Sequence, residues 1–211
     1  MRNPGPALCL AAAALMAACT EDESTWPAVR TDMGWLATSS GGLAARFCPD
    51  GGDTLDVSGH MGGLRPDTTY RVMATHTAAP GPTTLTRVEL VLVATPRTYA
   101  HEKADPVEAV SAWAGGGCVN LRLAVRTRNE GTHYFGCIDR GMTSWPDGRQ
   151  TLHLGLYHDQ GSDPASFSRT LYVSFDLSPY AASLRAGDTV RVGLPTFEAG
   201  TVTRAVVWPG R

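Results

Sequence analysis

Apolar and polar residues alternate along most of this chain, with the two-residue period of a β-strand. The clearest examples are segments 118–128 and 151–158, and in the second of these Leu152, Leu154 and Leu156 would share one buried face. No comparable segment shows the period of an amphipathic helix. The alternation therefore predicts an all-β protein.

The strand-like segments of the first half are short and closely spaced. Pro49–Asp53 carries the residues of a hairpin turn, and the prolines at 80 and 82 interrupt the pattern again. Several short strands without a helix favour a small closed barrel. We therefore predict an OB-like five-stranded β-barrel within residues 26–100. Its strands are expected at 29–38, 43–48, 54–57, 69–76 and 85–94.

The second half begins after a segment with a different composition. Prolines and mixed charges at 101–112 are typical of a linker, and a helical turn opening at Pro106 would have to end at the glycines 115–117. From 113 to 211 the strands are again joined by turns rich in Gly, Pro and Asp. This pattern predicts a C-terminal β-sandwich.

The N-terminus has the three-part layout of a secretory signal peptide. The leader MRNPGPALCLAAAALMAAC combines an arginine, a short apolar run and small residues before Cys19. The run is shorter than the roughly 20 residues that span a bilayer. LMAAC resembles a bacterial lipobox, which predicts removal of residues 1–18 and lipidation of Cys19. An ordinary cleaved signal with a chance cysteine is the alternative.

The segment after this cysteine, residues 19–25, is polar and acidic and is predicted to be a solvated tether. Glu21, Asp22 and Glu23 resemble a surface-export signal of some Gram-negative lipoproteins, although a merely hydrophilic linker has the same composition. We therefore expect an outer membrane lipoprotein, at the cell surface or facing the periplasm. The membrane would be its first partner, because buried acyl chains give lasting attachment.

Charge and cysteine spacing exclude several other classes. The net charge of −2 gives no general attraction to nucleic acid, so no nucleic-acid partner is expected. Cys48, Cys118 and Cys137 form no C-x-x-C unit, so neither a metal site nor a cofactor is predicted. Each lies in a strand-like run and is expected to be a buried free thiol. One disulfide is the alternative in an oxidising compartment.

Some polar residues are close enough in sequence to raise the question of catalysis. His153, His158, Asp159 and Asp163 cluster around one loop, and a His–Glu pair stands at 101–102. We expect the aspartates to shape the turn and His158 to bond loop backbone, because a metal site needs three or four convergent ligands. The chain also lacks a G-x-S-x-G nucleophile elbow. We therefore predict no catalytic residues and no enzyme, with a hydrolase of unrecognised site as an alternative.

Aromatic residues of the first half offer a different possibility. OB-type barrels often bind ligands on one sheet face, and Trp26, Trp35, His60 and Tyr70 belong to this half. Core packing is the simpler interpretation for each of them. If they do form a face, a sugar or a protein fits better than a nucleic acid.

Three C-terminal runs resemble the NigD-like lipoproteins. In that family a strand that ends in a histidine loop precedes a strand that ends in Ser-Phe-Asp-Leu. The matching runs here are LHLGLYHD at 152–159, LYVSFDLS at 171–178 and GDTV at 187–190.

The resemblance covers nearly the whole mature chain and implies an OB-like barrel followed by a β-sandwich. It implies a surface or periplasmic lipoprotein, a suggested role in immunity to a bacteriocin, and no catalytic residues. The expected function is thus non-catalytic binding of an extracellular protein or glycan. A polysaccharide-uptake accessory role is the other binding alternative.

Overall fold

The computed structural model describes residues 28–59, 61–78 and 81–210. The predicted signal peptide, Cys19, the acidic residues at 21–23, Trp26 and His60 lie outside these residues. Within them the chain is all-β, with fourteen strands and a single 3-10 turn at Ser178–Tyr180, as the alternation predicts. No helix in these segments has the length and apolar character needed to cross a membrane.

The first five strands form a closed barrel in the order β1, β2, β3, β5, β4, and β4 pairs with β1 to complete the circle. Leu36, Phe47, Val72 and Ala74 fill its interior. The predicted OB-like barrel is therefore confirmed. Its strands are β1 (Val29–Thr38), β2 (Ala44–Pro49), β3 (Leu55–Ser58), β4 (Thr69–Thr77) and β5 (Thr83–Leu90).

The remaining strands form two sheets that pack face to face as a β-sandwich. One sheet has the order β14, β13, β11, β10, β7, and the other has the order β6, β12, β9, β8. The strands are β6 (Leu92–Ala94), β7 (Pro96–Arg97), β8 (Glu108–Gly115), β9 (Cys118–Thr127), β10 (Tyr134–Ser144), β11 (Gln150–Asp159), β12 (Phe167–Asp176), β13 (Thr189–Thr196) and β14 (Gly200–Val207).

The sandwich core follows directly from the alternation. Leu152, Leu154 and Leu156 of β11 are buried on one face, and Val173 and Phe175 of β12 meet them from the facing sheet. Burying each such side chain contributes about 1.5–3 kcal/mol. The core therefore stabilises the register of both sheets, because a one-residue slip would expose it.

The chain leaves the barrel earlier than the sequence pattern predicts. The expected strand 85–94 is divided at Val91, whose N–H donates to the Arg71 carbonyl over 2.9 Å. Beyond it, β6 pairs in parallel with β12 and β7 pairs in parallel with β10. Residues 92–97, expected in the barrel half, thus belong to the two sheets of the sandwich. Alternation alone does not show whether this segment pairs with the barrel or with the sandwich, because residues 90–94 are all apolar.

The expected helical turn at 106–113 is a strand instead. β8 pairs antiparallel with β9, and Gly115 lies opposite Cys118. Between them Gly116 and Gly117 have φ angles of 60° and 77°. Two successive positive φ angles define the type I′ hairpin turn, which glycine adopts without steric cost. The glycine run is therefore a hairpin loop that extends the sheet.

Candidate functional site

A buried arginine joins the barrel to the sandwich. Arg71 of β4 has no exposed side-chain surface and pairs with Asp50, at the end of β2, with Nη1 2.6 Å from Oδ1. It also donates from Nη2 to Asn120 Oδ1 of β9 over 2.9 Å, and from Nε to Ser174 Oγ of β12 over 3.3 Å. Asp50 of the barrel thus neutralises the guanidinium charge, while Asn120 and Ser174 of the sandwich accept further hydrogen bonds from it. Such a complete set of partners is what a buried charge requires.

The glycine hairpin lies against this ion pair. A Cβ at Gly116 would overlap Asp50 Oδ1 and would lie 2.5 Å from Arg71 Nη1. The indole N–H of Trp35 donates to the Gly116 carbonyl over 2.7 Å, and the Arg71 guanidinium lies 5.2 Å from the Trp35 ring centroid. Trp35 therefore helps to hold the two halves together. Tyr70 instead has a local partner within the barrel, because its hydroxyl accepts the Arg65 N–H over 2.9 Å.

A cleft of about 920 Å³ opens between the barrel and one side of the sandwich. Its barrel wall includes Met73 and Leu90, and Leu90 is 66% exposed. Its sandwich walls include Phe135 from one sheet and Leu171 from the other. Its lining mixes these apolar side chains with polar ones such as His133 and Arg169. A concave site that combines apolar walls with placed polar groups is the usual form of a binding site.

Behind the cleft wall, two imidazoles form a chain of hydrogen bonds. His158 Nδ1 lies 2.8 Å from the Asp105 carbonyl oxygen, and its Nε2 lies 2.9 Å from Nδ1 of His133. The other nitrogen of His133 lies 3.1 Å from Asp163 Oδ2. Because a carbonyl only accepts, His158 donates from Nδ1 and its Nε2 accepts from His133. Phe135 stacks on His158 at a centroid distance of 4.6 Å and faces the cleft beside His133.

Burial and hydrogen bonding set the charge states at the two ends of this chain. Burial lowers the pKa of His158 below its ordinary value of 6.5, so the folded protein favours its neutral ring. The hydroxyl of Thr127 and the backbone N–H groups of Arg128 and Glu130 donate to Asp163, and they hold the pKa of that carboxyl well below its usual range. Asp163 is therefore a carboxylate that fixes the 128–130 turn.

The structure brings together two of the four clustered candidates and separates the others. His158 and Asp163 meet only through His133, which sequence reasoning missed. His153 instead lies 3.1 Å from the Thr143 hydroxyl, and Asp159 accepts the Gly161 N–H over 2.9 Å. The turn role expected for Asp159 is confirmed. His158 bonds the backbone of Asp105 rather than its own loop, and Asp163 binds the 128–130 turn.

Of the His–Glu pair in the expected linker, Glu102 accepts from Arg140 Nη1 over 2.9 Å. The three cysteines of the strands are free, with Cys118 and Cys137 buried and Cys48 partly exposed. Burial raises the pKa of the Cys118 thiol to about 12 and also raises that of Cys137. The buried thiols are therefore poor nucleophiles, since the thiolate is the reactive form.

The geometry defines a two-part all-β protein, an OB-like barrel joined to a β-sandwich with a cleft between them. Residues 91–207 match the family described as the NigD-like C-terminal beta sandwich domain. The chain belongs to this NigD-like family. No curated protein matches it.

Several solved structures have a similar architecture. A NigD-like immunity protein from Bacteroides caccae is 23% identical, with a TM-score of 0.68 over 85% of this chain and 93% of that one. A protein from Parabacteroides distasonis that is called toxin-related is 18% identical, with a TM-score of 0.65 over 86% and 94%. A protein from Bacteroides fragilis that is called a lipoprotein is 12% identical, with a TM-score of 0.61 over 86% and 99%. At these identities the likeness shows a common fold.

Proposed function

We propose that the mature chain is an envelope lipoprotein that protects its cell by binding a toxic protein in the cleft, without catalysis. Cys19 would carry the lipid, residues 19–25 would form the tether, and Glu21, Asp22 and Glu23 would direct export to the outer face. Strand β1 begins at Val29, so a short tether would join the anchor to the barrel.

The cleft is the observation that carries this proposal. It has the size of a binding site, and apolar side chains such as Leu90 and Leu171 form much of its lining. Burying such surface against a partner is the main source of affinity in protein association. Leu90, Phe135 and Leu171 meet on one concave surface, and apolar side chains grouped in this way mark an interaction site.

The polar groups near the cleft favour binding over catalysis. Both nitrogens of His133 already have partners in His158 and Asp163, so this imidazole has no free position with which to take a proton from a ligand. The hydroxyl of Thr127 donates to Asp163, which leaves it poorly placed as a nucleophile. The family match adds weight, because one relative of this fold is an immunity protein and another is called a lipoprotein.

Toxin survival tests the proposal. A strain that lacks the gene is complemented with the wild-type chain, with Leu90→Gln in the cleft, or with Val207→Gln. Val207 of β14 is 69% exposed, similar to Leu90, and lies outside the cleft, which makes it a matched control. Each strain is challenged with concentrated culture supernatants of competing bacteria.

We expect the wild type and Val207→Gln to restore survival and Leu90→Gln to restore markedly less. If deletion of the gene leaves survival unchanged, the immunity role is wrong. If in that case the purified protein binds isolated surface polysaccharide, the glycan-binding alternative replaces it.

A further inference from the structure

One edge of strand β12 is left without a neighbour for more than half of its length. On one side β12 pairs with β9 from Phe167 to Asp176. On the other side β6 covers only Val173, Ser174 and Phe175. Among the described residues, the loop and turn hydrogen bonds supply no other backbone partner for the segment 167–172. This segment, the free edge of β12, presents unpaired N–H and C=O groups.

Four of the six residues of the free edge lie along the cleft. Arg169, Thr170, Leu171 and Tyr172 are consecutive residues, and all four line it. Successive side chains of a strand point to opposite faces of the sheet, so four in a row line one cavity only when the backbone edge itself faces it. The cleft therefore offers a row of main-chain hydrogen-bonding groups as well as apolar walls.

The charge at this edge is positive. Arg169 is exposed and hydrogen-bonds only the side-chain oxygen of Asn129, over 3.1 Å. It takes part in none of the ion pairs among the described residues. Glu89, the acidic group of the opposite wall, is paired with Arg87. The guanidinium of Arg169 is thus available to an incoming carboxylate.

We propose that an extended peptide segment of the partner, carrying an acidic residue, adds to the free edge of β12 as a further strand. This inference rests on the proposed function, because it names what enters the same cleft. Main-chain hydrogen bonds to residues 167–172 would give affinity, the walls at Leu90 and Phe135 would select apolar side chains, and Arg169 would select the acid. The six free residues fit a partner segment of about 20 Å.

A second copy of this chain is a poorer occupant. Pairing two identical edges would bring the Arg169 side chains of both copies close together, and like charges across paired strands are destabilising. A foreign acidic strand has the complementary charge.

A displayed library of random ten-residue peptides tests the inference on the full mature protein. The enriched peptide is synthesised unchanged, with its acidic residue replaced by Lys, and with alternate backbone N–H groups methylated. Binding is measured by fluorescence anisotropy to the wild type, to Arg169→Glu and to Arg122→Glu. Arg122 lies on the neighbouring strand β9, is exposed, and does not line the cleft, so its reversal is the matched control.

We expect enriched peptides that alternate apolar residues around an acid. Arg169→Glu should weaken the acidic peptide about fivefold and tighten the Lys peptide, whereas Arg122→Glu changes neither, because one exposed ion pair contributes a few-fold in affinity. Methylation should abolish binding, and the peptide should slow amide exchange at 167–172. Both are signs of main-chain pairing that a side-chain contact would not produce.

Several outcomes would overturn strand addition. These are failure to enrich any peptide, equal binding of the methylated peptide, equal effects of the two arginine reversals, or a dimer in sedimentation that no peptide dissociates. If one of these is found while Leu90→Gln still fails to protect cells from the toxin, the cleft still binds the toxin and only strand addition is wrong. If peptides bind as expected but toxin survival is insensitive to the gene, the proposed immunity is wrong instead.

Discussion

Arg71 and Asp50 form an ion pair at the boundary between two domains, with Nη1 2.6 Å from Oδ1 and the arginine side chain wholly buried. Asn120 and Ser174 bind the same guanidinium from the sandwich side. One charged group therefore links three separated strands and fixes the cleft walls relative to each other. The shape of the cleft between the two domains therefore depends on this contact.

Replacing Arg71 by leucine should destabilise the whole chain. The substitution removes the cation that neutralises the Asp50 carboxylate and one of the donors to Asn120 Oδ1. Removal of one member of a buried pair costs about 3–5 kcal/mol. Urea denaturation measures the loss. Arg87→Leu, which breaks the exposed pair with Glu89, should cost no more than about 1 kcal/mol. Equal midpoints for the two variants would contradict a central role for Arg71.

The hairpin glycines allow steric overlap to be separated from backbone strain. Gly116→Ala and Gly117→Ala both place alanine at a positive φ, which costs about 1–2 kcal/mol. Only Gly116→Ala also forces a methyl group onto Asp50 and Arg71, because no atom lies within 4 Å of a Cβ at Gly117. We expect the unfolding free energy of Gly116→Ala to be clearly the lower of the two. Identical denaturation curves would show that the hairpin does not press on the ion pair.

Stability should fall with acidity in two stages. The pKa of His158 is lowered on folding, so below about 6.5 the unfolded chain binds more protons and the unfolding free energy decreases. The pKa of Asp163 is also lowered, so its contribution is present above about 3.8 and is lost as the pH falls further. Urea denaturation between pH 8 and pH 3 measures both stages.

The first stage should be specific to one histidine. His158→Gln should flatten the decrease between pH 7.5 and pH 5.5, whereas His153→Gln, on the outer side of the same strand, should leave it in place. An unchanged slope in His158→Gln would mean that another group titrates in this range.

The anchor prediction concerns the N-terminus. Cys19→Ala should move the protein from the membrane fraction to the soluble fraction of the cell envelope, because the acyl chains supply the attachment. Cys48→Ala, at a partly exposed thiol of the barrel, should remain in the membrane fraction. Immunoblots of fractionated cells give the answer. Retention of Cys19→Ala in the membrane would contradict lipidation.

The acidic tether has a separate test. Replacing Glu21, Asp22 and Glu23 together by alanine should leave the protein in the membrane but reduce its digestion by protease added to intact cells. If digestion is unchanged, these residues are a hydrophilic spacer without a role in export.

Long alternating strands could be predicted from the sequence, and contacts between distant polar residues could not. The buried faces of β11 and β12 follow from period alone, and the five-stranded barrel follows from the number and close spacing of the short strands before residue 100. His133 was missed because only the pairing of β10 with β11 brings it to His158, 25 positions away. Arg71 looks like an ordinary outward residue in its strand, and its burial depends on a sandwich that its local sequence does not encode.

The strands β6 and β7 were missed for a related reason. They have three and two residues, too few for a period, and they pair in parallel with partners far along the chain.

The pairing of β6 and β7 with later strands affects the order of folding. If the exported chain crosses the membrane from its N-terminus, the barrel emerges first, but the segment 92–97 waits for β10 and β12, which follow later in the chain. The barrel therefore emerges with the segment 92–97 attached, whose backbone hydrogen-bonding groups are still unpaired. A sandwich expressed alone from residue 101 would lack both crossing strands, and we expect it to aggregate through the two edges that they normally cover.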